Sequence, residues 1–580
     1  MTTSVTTTKR RQLLVVRGAS DPRFGLLRAL VVLFLVGAGC APVRRAPSPA
    51  AGAEARALIL EADAEVNRGC YLCLRSATSK YEAAIRAGGA VSSIKAAGAW
   101  VLVAAREREL GLQPSDALDR ARGYRVTASV GPSGDESRAS NEVIDVYLEV
   151  AAGLPLRAEG VSMEAMGAAV QAARALAGLP PMSSAPRPIG PPNEETIPAS
   201  IRLLSERARQ GADIAAAYLV RSFDCSTRRP ASPSGDSASK DSVPGSVDPP
   251  LSDLLAFRLA TCGNRRDPDG ETKTLVQLLI AEPRFHEAHY FLGRIHVAER
   301  KLVSAEREFL AAANGLPGMT AAWAMLGITR MNLEEYDWAA ADLGRALEIE
   351  PRQRQALLAH AQALNYAGRF EEALVPARRL IELGTWFLSD ANFWLAFSEL
   401  QLGRLQEADI HVKEAKRTNP MNGDTARLSG LVAYRLAQMD RAETEFELAI
   451  SRNEGDCEAH LYLGMTLGQK QRFEPSIVAF VRARNCYAGL VAAAASKAAE
   501  IERSALSEAR KETARSRLAQ RIKAAKRSQA GASLGAAEGE AQRGAFEAAL
   551  TYLAEAAVEV ELTARSNELR TRVEAQRARR

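Results

Sequence analysis

From Pro283 onward the 580-residue chain repeats itself every 34 residues. Gly293 and Gly327 stand at that interval, as do Ala305 and Ala339, and Pro317 and Pro351. A fixed period of this length narrows the fold sharply. One copy is a supersecondary unit too small to bury its own apolar face, so neighbours must stack and share a continuous core. Each copy reads as a helix with a Leu-Gly or Leu-Ala step, a turn, and a second helix of the form Ala-x-x-x-apolar-x-x-Ala or Leu. Small residues let the two helices touch, and larger ones fill the space between copies. The composition agrees, with 47% hydrophobic but only 6% aromatic residues. Ala-rich apolar content suits helix–helix packing better than a sandwich or barrel, whose cores are β-branched and aromatic. No stretch of alternating β-branched residues is present, so the ordered chain is expected to be helical throughout.

The second copy, with Trp323, Leu326, Gly327, Ala339, Leu343, Ala346 and Pro351, resembles the tetratricopeptide repeat (TPR). The first supplies Leu292, Gly293, Ala305, Phe309, Ala312 and Pro317, and the third Ala361, Ala373, Ala377 and Leu380. The fourth, one residue out of step, has Leu395, Ala396, Ala408, Val412, Ala415 and Pro420. The fifth has Gly430, Ala442, Phe446 and Ala449, and the sixth Leu463, Gly464, Ser476, Phe480 and Ala483. Weaker copies flank them at Leu275, Leu278 and Pro283, at Ala77, Tyr81 and Ala84, and at the turn Gly544-Ala545-Phe546-Glu547-Ala548-Ala549. The resemblance implies an all-α TPR solenoid of stacked antiparallel helix pairs with degenerate flanking repeats. The expected organisation is an N-terminal helical region over 55–225, a disordered linker over 226–250, the array over 251–487, and long C-terminal helices with a final hairpin over 488–580. The linker is Ser/Pro/Asp/Gly-rich without apolar periodicity.

In this family the first helices line a concave groove. Carried onto this chain, its positions are Tyr290 and Arg294, then Ile328, Met331 and Asn332, then Gln355, Gln362, Asn365 and Tyr366. Phe393, Phe397 and Gln401 follow, then Arg427, Leu431, Tyr434 and Arg435, then Leu461, Met465 and Gln469. Rings interleaved with amides and arginines suit an extended or helical peptide. Any one of those rings can equally be packing between units. The Lys/Asn arrangement with which some members clamp a terminal carboxylate is not reproduced.

The N-terminus reads as an export signal over 1–39. Basic residues from Lys9 to Arg28 precede an apolar run, Ala29–Val36, about half the ~20 residues of a spanning helix. Gly37-Ala38-Gly39-Cys40 resembles a bacterial lipobox, with Gly37 where an aliphatic residue is usual. The resemblance implies lipidation at Cys40, a tether over 40–54, and an outer-membrane lipoprotein facing the periplasm. The other reading is a plain signal peptide and a secreted or periplasmic chain. Outside the cytosol the remaining six cysteines can pair. Cys457 opens the first helix of the sixth unit and Cys486 is expected to close its second, which brings them together. Cys225 and Cys262 flank the linker. Cys70 and Cys73 form a CxxC without a second CxxC or paired His, so a turn disulfide or two buried thiols is expected rather than zinc.

No catalytic signature is legible: GxxxxGK[ST] and HExxH are missing, and no GxGxxG or GxSxG stands at the end of a strand pattern. His286-Glu287-Ala288-His289 has the wrong spacing for a zinc-protease helix, and His296 lies two turns further on. Neither cofactor nor metal is expected. A net charge of +6 is too diffuse for nucleic-acid binding. One segment, Arg510–Arg527, is locally basic with Glu512 its only acid, and could meet an anionic envelope component or simply form a solvated helix face. The expected function is a non-enzymatic, lipid-anchored scaffold binding a protein or peptide, in envelope assembly, secretion or pilus biogenesis. The alternatives are an envelope polymer- or lipid-binding adaptor acting through the basic helix, or an enzyme with an unrecognised N-terminal site.

Overall fold

The 34-residue period is realised as alternating short helices. A computed structural model describes residues 49–125, 134–153, 199–210, 213–227, 252–261, 268–384, 387–557 and 559–579. The export signal, Cys40, the stretch 154–198 of the N-terminal region, Cys262 and nearly all of the 226–250 linker lie outside these residues. Among the described residues every regular element is a helix.

Six helix pairs follow one another. They are His286–Ala298 with Leu302–Gly315, Thr320–Asn332 with Tyr336–Ile349, and Arg354–Tyr366 with Phe370–Glu382. Leu388–Gln401 with Leu405–Thr418, Gly423–Arg435 with Met439–Arg452, and Cys457–Gln469 with Phe473–Arg503 complete the series. Within every pair a small residue of the first helix meets the residue sixteen positions later in the second. A Cβ on Gly293 would come within 2.7 Å of the Phe309 ring, one on Gly327 within 2.6 Å of Leu343, and one on Gly430 within 2.6 Å of Phe446. Gly464 stands to Phe480 in the same way, at 2.8 Å. Where the small residue is Ala, the partner shrinks: Ala361 shares a cluster with Ala377, and Ala396 with Val412. Every pair thus sets a Gly or Ala of its first helix against its second, which lets the two backbones approach closely.

The turn inside each pair passes through one left-handed residue: Arg300, Glu334, Gly368, Gly403, Ala437 and Gln471. The helix ends accept this conformation because the following amide closes back on the last turn, as when Glu335 N–H donates to Arg330 O at 2.8 Å. The turn sets Glu334 and Glu335 at the edge of the second unit.

At its C-terminal end the array departs from the expected pattern. The second helix of unit six does not close at Cys486 but runs on to Arg503, and Glu508–Arg543 returns antiparallel to it. The two form a long hairpin. At its base Gly535 and Gly539 approach Phe480 and Ile477, so the returning helix stacks on unit six as a seventh first helix would. It then pairs with Phe546–Ala556 through the Gly544 turn, and Val560–Arg579 follows. Helix Phe473–Arg503 is, by length and composition alone, long and apolar enough to cross a membrane. Its first half nevertheless carries the core residues Ile477, Phe480 and Ala483 of unit six.

The N-terminal region is less solenoid-like than expected. Ala62, Ala77 and Tyr81 pack as a helix pair. Helix Ser93–Leu110, however, is buried continuously from Ala96 to Glu107. Its Ala-Ala-Gly-Ala-Trp-Val-Leu-Val-Ala-Ala run offers no polar stripe, so neighbouring helices, including Tyr71–Arg86, Gly134–Gly153 and Ile214–Thr227, surround it. The stretch from Ile197 to Phe223 forms two helices, Ala199–Arg209 and Ile214–Thr227. Asp213 caps the second by accepting from Ala216 N–H at 3.0 Å.

This region is joined to the array through buried charge. Glu287 Oε1 accepts from Arg106 Nη2 at 2.6 Å and from the Tyr71 amide at 2.7 Å. Arg106 also lies 4.4 Å from the Phe257 ring centroid and bonds Tyr218 and Glu109 at 3.1 Å each. Burial opposes the Arg106 charge, but Tyr218, Glu287 and Glu109 outweigh it and hold the guanidinium above its ordinary value. Burial likewise pushes Glu109 up, and the Arg258 and Arg106 charges bring it below the usual carboxylate range.

Candidate functional site

The residues that the repeat assigns to the concave groove fall into three environments. Tyr290 and Asn365 are in the stack rather than on its surface, at 7% and 4% exposure. Tyr290 packs against Phe309 and Phe291. Asn365 Nδ2 donates to Ala361 O at 2.9 Å, while its Oδ1 accepts from Ser398 Oγ at 2.8 Å, so it ties unit three to unit four. Ile328, Met331, Phe393, Phe397, Leu431, Tyr434 and Leu461 are half-buried against neighbouring units, and Gln362 and Arg294 are also half-buried. Asn332, Gln355, Tyr366, Gln401, Arg435, Met465 and Gln469 are exposed.

Arg427 is held by three carboxylates, Glu458 at 2.5 Å, Asp456 at 3.0 Å and Asp424 at 3.3 Å. Burial works against its charge, but the Glu458 and Asp456 charges dominate and raise its pKa. It therefore braces unit five against unit six. Gln469 Nε2 donates to Tyr434 OH at 2.8 Å across the same junction.

The aromatic side chains form a ladder rather than isolated anchors. Ring centroids are 5.1 Å apart between Tyr336 and Tyr366, 5.4 Å between Tyr366 and Trp394, and 5.8 Å between Trp394 and Phe397. Phe393 meets Trp394 edge-on at 5.0 Å, and Phe370 lies 6.4 Å from Phe397. The ladder crosses units two, three and four, and Tyr366 at its centre is 53% exposed. Burial raises the pKa of both Tyr336 and Tyr366, so the ladder is neutral at ordinary pH. Tyr336, Phe370 and Trp394 were outside the expected groove set. The first two open second helices, at the position just after the left-handed turn, and that recurrence is the signal that marks them.

Among the described residues two cysteine pairs are bonded. Cys70 and Cys73 join at a Cα separation of 4.9 Å at the start of helix Tyr71–Arg86, and Cys457 and Cys486 join at 5.4 Å. The second bridge fastens the first helix of unit six to the middle, not the end, of the long helix. The side chain of Cys225 lies outside the described residues. His289 Nδ1 is 2.7 Å from Glu308 and His296 Nδ1 3.3 Å from Glu299, each an intra-unit contact. Among the described residues no group of three or more His, Cys, Asp or Glu is placed to hold a metal ion.

The basic segment is engaged with the chain's own carboxylates. Arg510 pairs with Glu306 and Glu335, Arg515 with Glu502, Glu508 and Glu512, and Arg521 with Glu334. Lys511 pairs with Glu508, and Lys523 and Arg527 with Glu561. The expected basic face is thus largely neutralised within the molecule.

No family model matches the chain, and no curated protein matches it. Solved structures do resemble parts of it. Pseudomonas aeruginosa PilF is 17% identical, covering 35% of this chain and 92% of its own, at a TM-score of 0.32. A tetratricopeptide repeat protein from Parabacteroides merdae is 14% identical over 47% of this chain and 96% of its own, at 0.33. YrrB, described as a TPR protein with an unusual peptide-binding site, is 16% identical over 31% of this chain and 91% of its own, at 0.26. These likenesses are short relative to the chain, and its fold rests on its own helix pairs. The repeated pairs, their 34-residue period and the small-to-large contact sixteen residues apart make it an all-α solenoid of the tetratricopeptide type.

Proposed function

We propose that the chain is a non-enzymatic scaffold that binds a protein partner through the Tyr336–Tyr366–Trp394–Phe397 ladder, while lipid on Cys40 holds it at the cell envelope. The observation that carries the binding reading is the half-exposed Tyr366 ring, fixed between two other rings. Rigid aromatic surface that is already ordered loses little conformational entropy on binding, which favours a peptide or helix laid across the units. Asn332, Gln362 and Gln401 add amides that suit a peptide backbone. The envelope reading rests on the sequence from Lys9 to Cys40, and a role in assembly, secretion or pilus biogenesis would follow from that location.

A photo-cross-linking residue at Tyr366, introduced into the native host, tests the binding reading. A discrete cross-linked partner that disappears when Trp394 and Phe397 are replaced by Leu would support it. Cross-links indistinguishable from those at exposed Val375 on a second helix would sink it. Lipidation is tested separately: Cys40→Ser should move the protein from the membrane to the soluble fraction, and retention on the membrane would count against it.

A further inference from the structure

Some of the longest-range side-chain bonds in the chain lie at the tip of the C-terminal hairpin. Arg510 Nε and Nη2 donate to the two oxygens of Glu335 at 2.6 Å each, and its Nη1 donates to Glu306 at 2.6 Å. Arg521 Nη1 donates to Glu334 at 2.8 Å. Arg510 and Arg521 are eleven residues apart, about three helical turns, so both lie on one face of helix Glu508–Arg543. Glu306 belongs to unit one, and Glu334 and Glu335 to the turn of unit two. The hairpin itself is rooted on unit six, where Phe480 packs over Gly535 and where the Cys457–Cys486 bridge fastens it. It therefore links the last unit of the array to the first two.

The nature of the two attachments differs. The base belongs to an apolar cluster of Ile477, Phe480, Ala483, Ala532 and Ala536. Among the described residues none from 488 to 529 belongs to any apolar core cluster. The tip is held by ion pairs whose arginines remain 30% and 65% exposed. The carboxylates beneath Arg510 are covered, Glu306 at 8% and Glu335 at 13%, but the arginine sides face solvent, where such pairs are weakened by water and screened by salt. A bidentate guanidinium on Glu335 gives the contact its register.

We propose that residues 508–521 are a detachable clasp, an intramolecular ligand that closes the array by docking on Glu306, Glu334 and Glu335 and opens it on release. Glu335 is followed directly by Tyr336, the first ring of the ladder, and Arg521 and Arg517 lie close enough for their charges to bear on its hydroxyl. The closed clasp therefore sits against one end of the ladder. The clasp itself stands without the binding reading; that it gates access to the ladder rests on that reading.

The test uses the full chain and no partner. Amide hydrogen exchange is followed at residues 504–512 and 333–338 in the wild type, in Arg510→Glu/Arg521→Glu, and in the charge swap that adds Glu334→Arg and Glu335→Arg. Exchange in both segments should rise about fivefold or more in the double variant, as a few weak ion pairs are lost, and return in the swap. The wild type should show the same rise between 0.05 and 0.5 M NaCl, with units four and five unchanged. A synthetic peptide of residues 505–525 should restore protection of 333–338 in the opened variant and leave the wild type unaffected. Exchange unchanged by the double variant and by salt would overturn the proposal. So would a peptide that fails to protect the opened variant. A clasp that opens in a protein whose Tyr366 captures no partner would remove only the binding reading.

Discussion

Two arginine–glutamate junctions hold distant parts of this chain together, and their surroundings differ. At the first, Arg106 and Glu287 are 1% and 0% exposed, 2.6 Å apart and 181 residues apart in sequence. At the second, Arg510 is 30% exposed and reaches Glu335 and Glu306 across 175 and 204 residues. The bond lengths are alike, so the chemistry does not separate them; the solvent does. Around the first, both charges are enclosed by protein, and among the described residues Glu287 is compensated by Arg106 and the Tyr71 amide. Around the second, each partner can regain water when the contact opens. The buried junction is accordingly a permanent part of the fold, and the exposed one is a candidate for movement.

The comparison breaks most clearly if one partner of the buried pair is removed. Glu287→Ala takes one of two carboxylates from the enclosed Arg106 guanidinium and leaves it to share Glu109 with Arg258, and should cost about 3 kcal/mol in chemical denaturation. Replacing both by apolar residues, as in Arg106→Met with Glu287→Leu, should recover most of that loss. A Glu287→Ala variant within ~1 kcal/mol of the wild type would show that the junction is wetter than its exposure implies. Next in size is the packing inside a unit. Gly293→Ala places a Cβ 2.7 Å from the Phe309 ring, and overpacking of that kind costs about 1–3 kcal/mol. The second substitution, Phe309→Leu, should restore part of the loss, since Leu343 fills the equivalent site opposite Gly327.

These two effects were unequally visible in the sequence. The small-to-large pairs recur within 34 residues, so Gly293, Phe309 and their equivalents are readable from spacing alone. The Arg106–Glu287 bond joins a region outside the period to the first unit, and nothing local marks it. His286 and His289, on either side of Glu287, are the more conspicuous residues in the sequence. Asn365 was placed on the groove by its register, but a short amide next to Ser398 finds better partners inside the stack. The Arg510–Arg527 segment was read by charge density, which does not show that Glu306, Glu334 and Glu335 lie opposite it. Ladder residues Tyr336 and Phe370 stand at the start of second helices, outside the first-helix positions that the repeat assigns to the groove.

An intermediate case lies between the two junctions. Asp342 is buried, 2.7 Å from Arg330, which also binds the Glu306 that receives Arg510. Burial pushes the Asp342 pKa up to about 6, against the pull of Arg330. An acid raised in the folded state binds its proton more tightly there than in the unfolded chain. Its contribution is fully present below the unfolded value near 4 and is lost as pH rises through about 6. The stability difference between wild type and Asp342→Asn should therefore shift against the wild type by about 1 kcal/mol between pH 4 and pH 7, the shift being discounted for residual solvent. A difference independent of pH would place the Asp342 carboxylate in the unshifted class.

The smallest effect belongs to the exposed junction, and its size is what distinguishes a clasp from a strut. Arg510→Ala should lower global stability by about 1 kcal/mol or less, because water replaces the lost partners on both Glu335 and Glu306. A double-mutant cycle of Arg510→Ala with Glu335→Ala, run by thermal unfolding, should give a coupling energy that falls on going from 0.05 to 0.5 M NaCl. The same cycle at Arg106 and Glu287 should be nearly insensitive to salt, since no counterion reaches that pair. If the Arg510 coupling proves as large and as salt-independent as the buried one, the hairpin tip is fixed to units one and two. The distinction drawn from exposure would then fail at the point where it predicts motion.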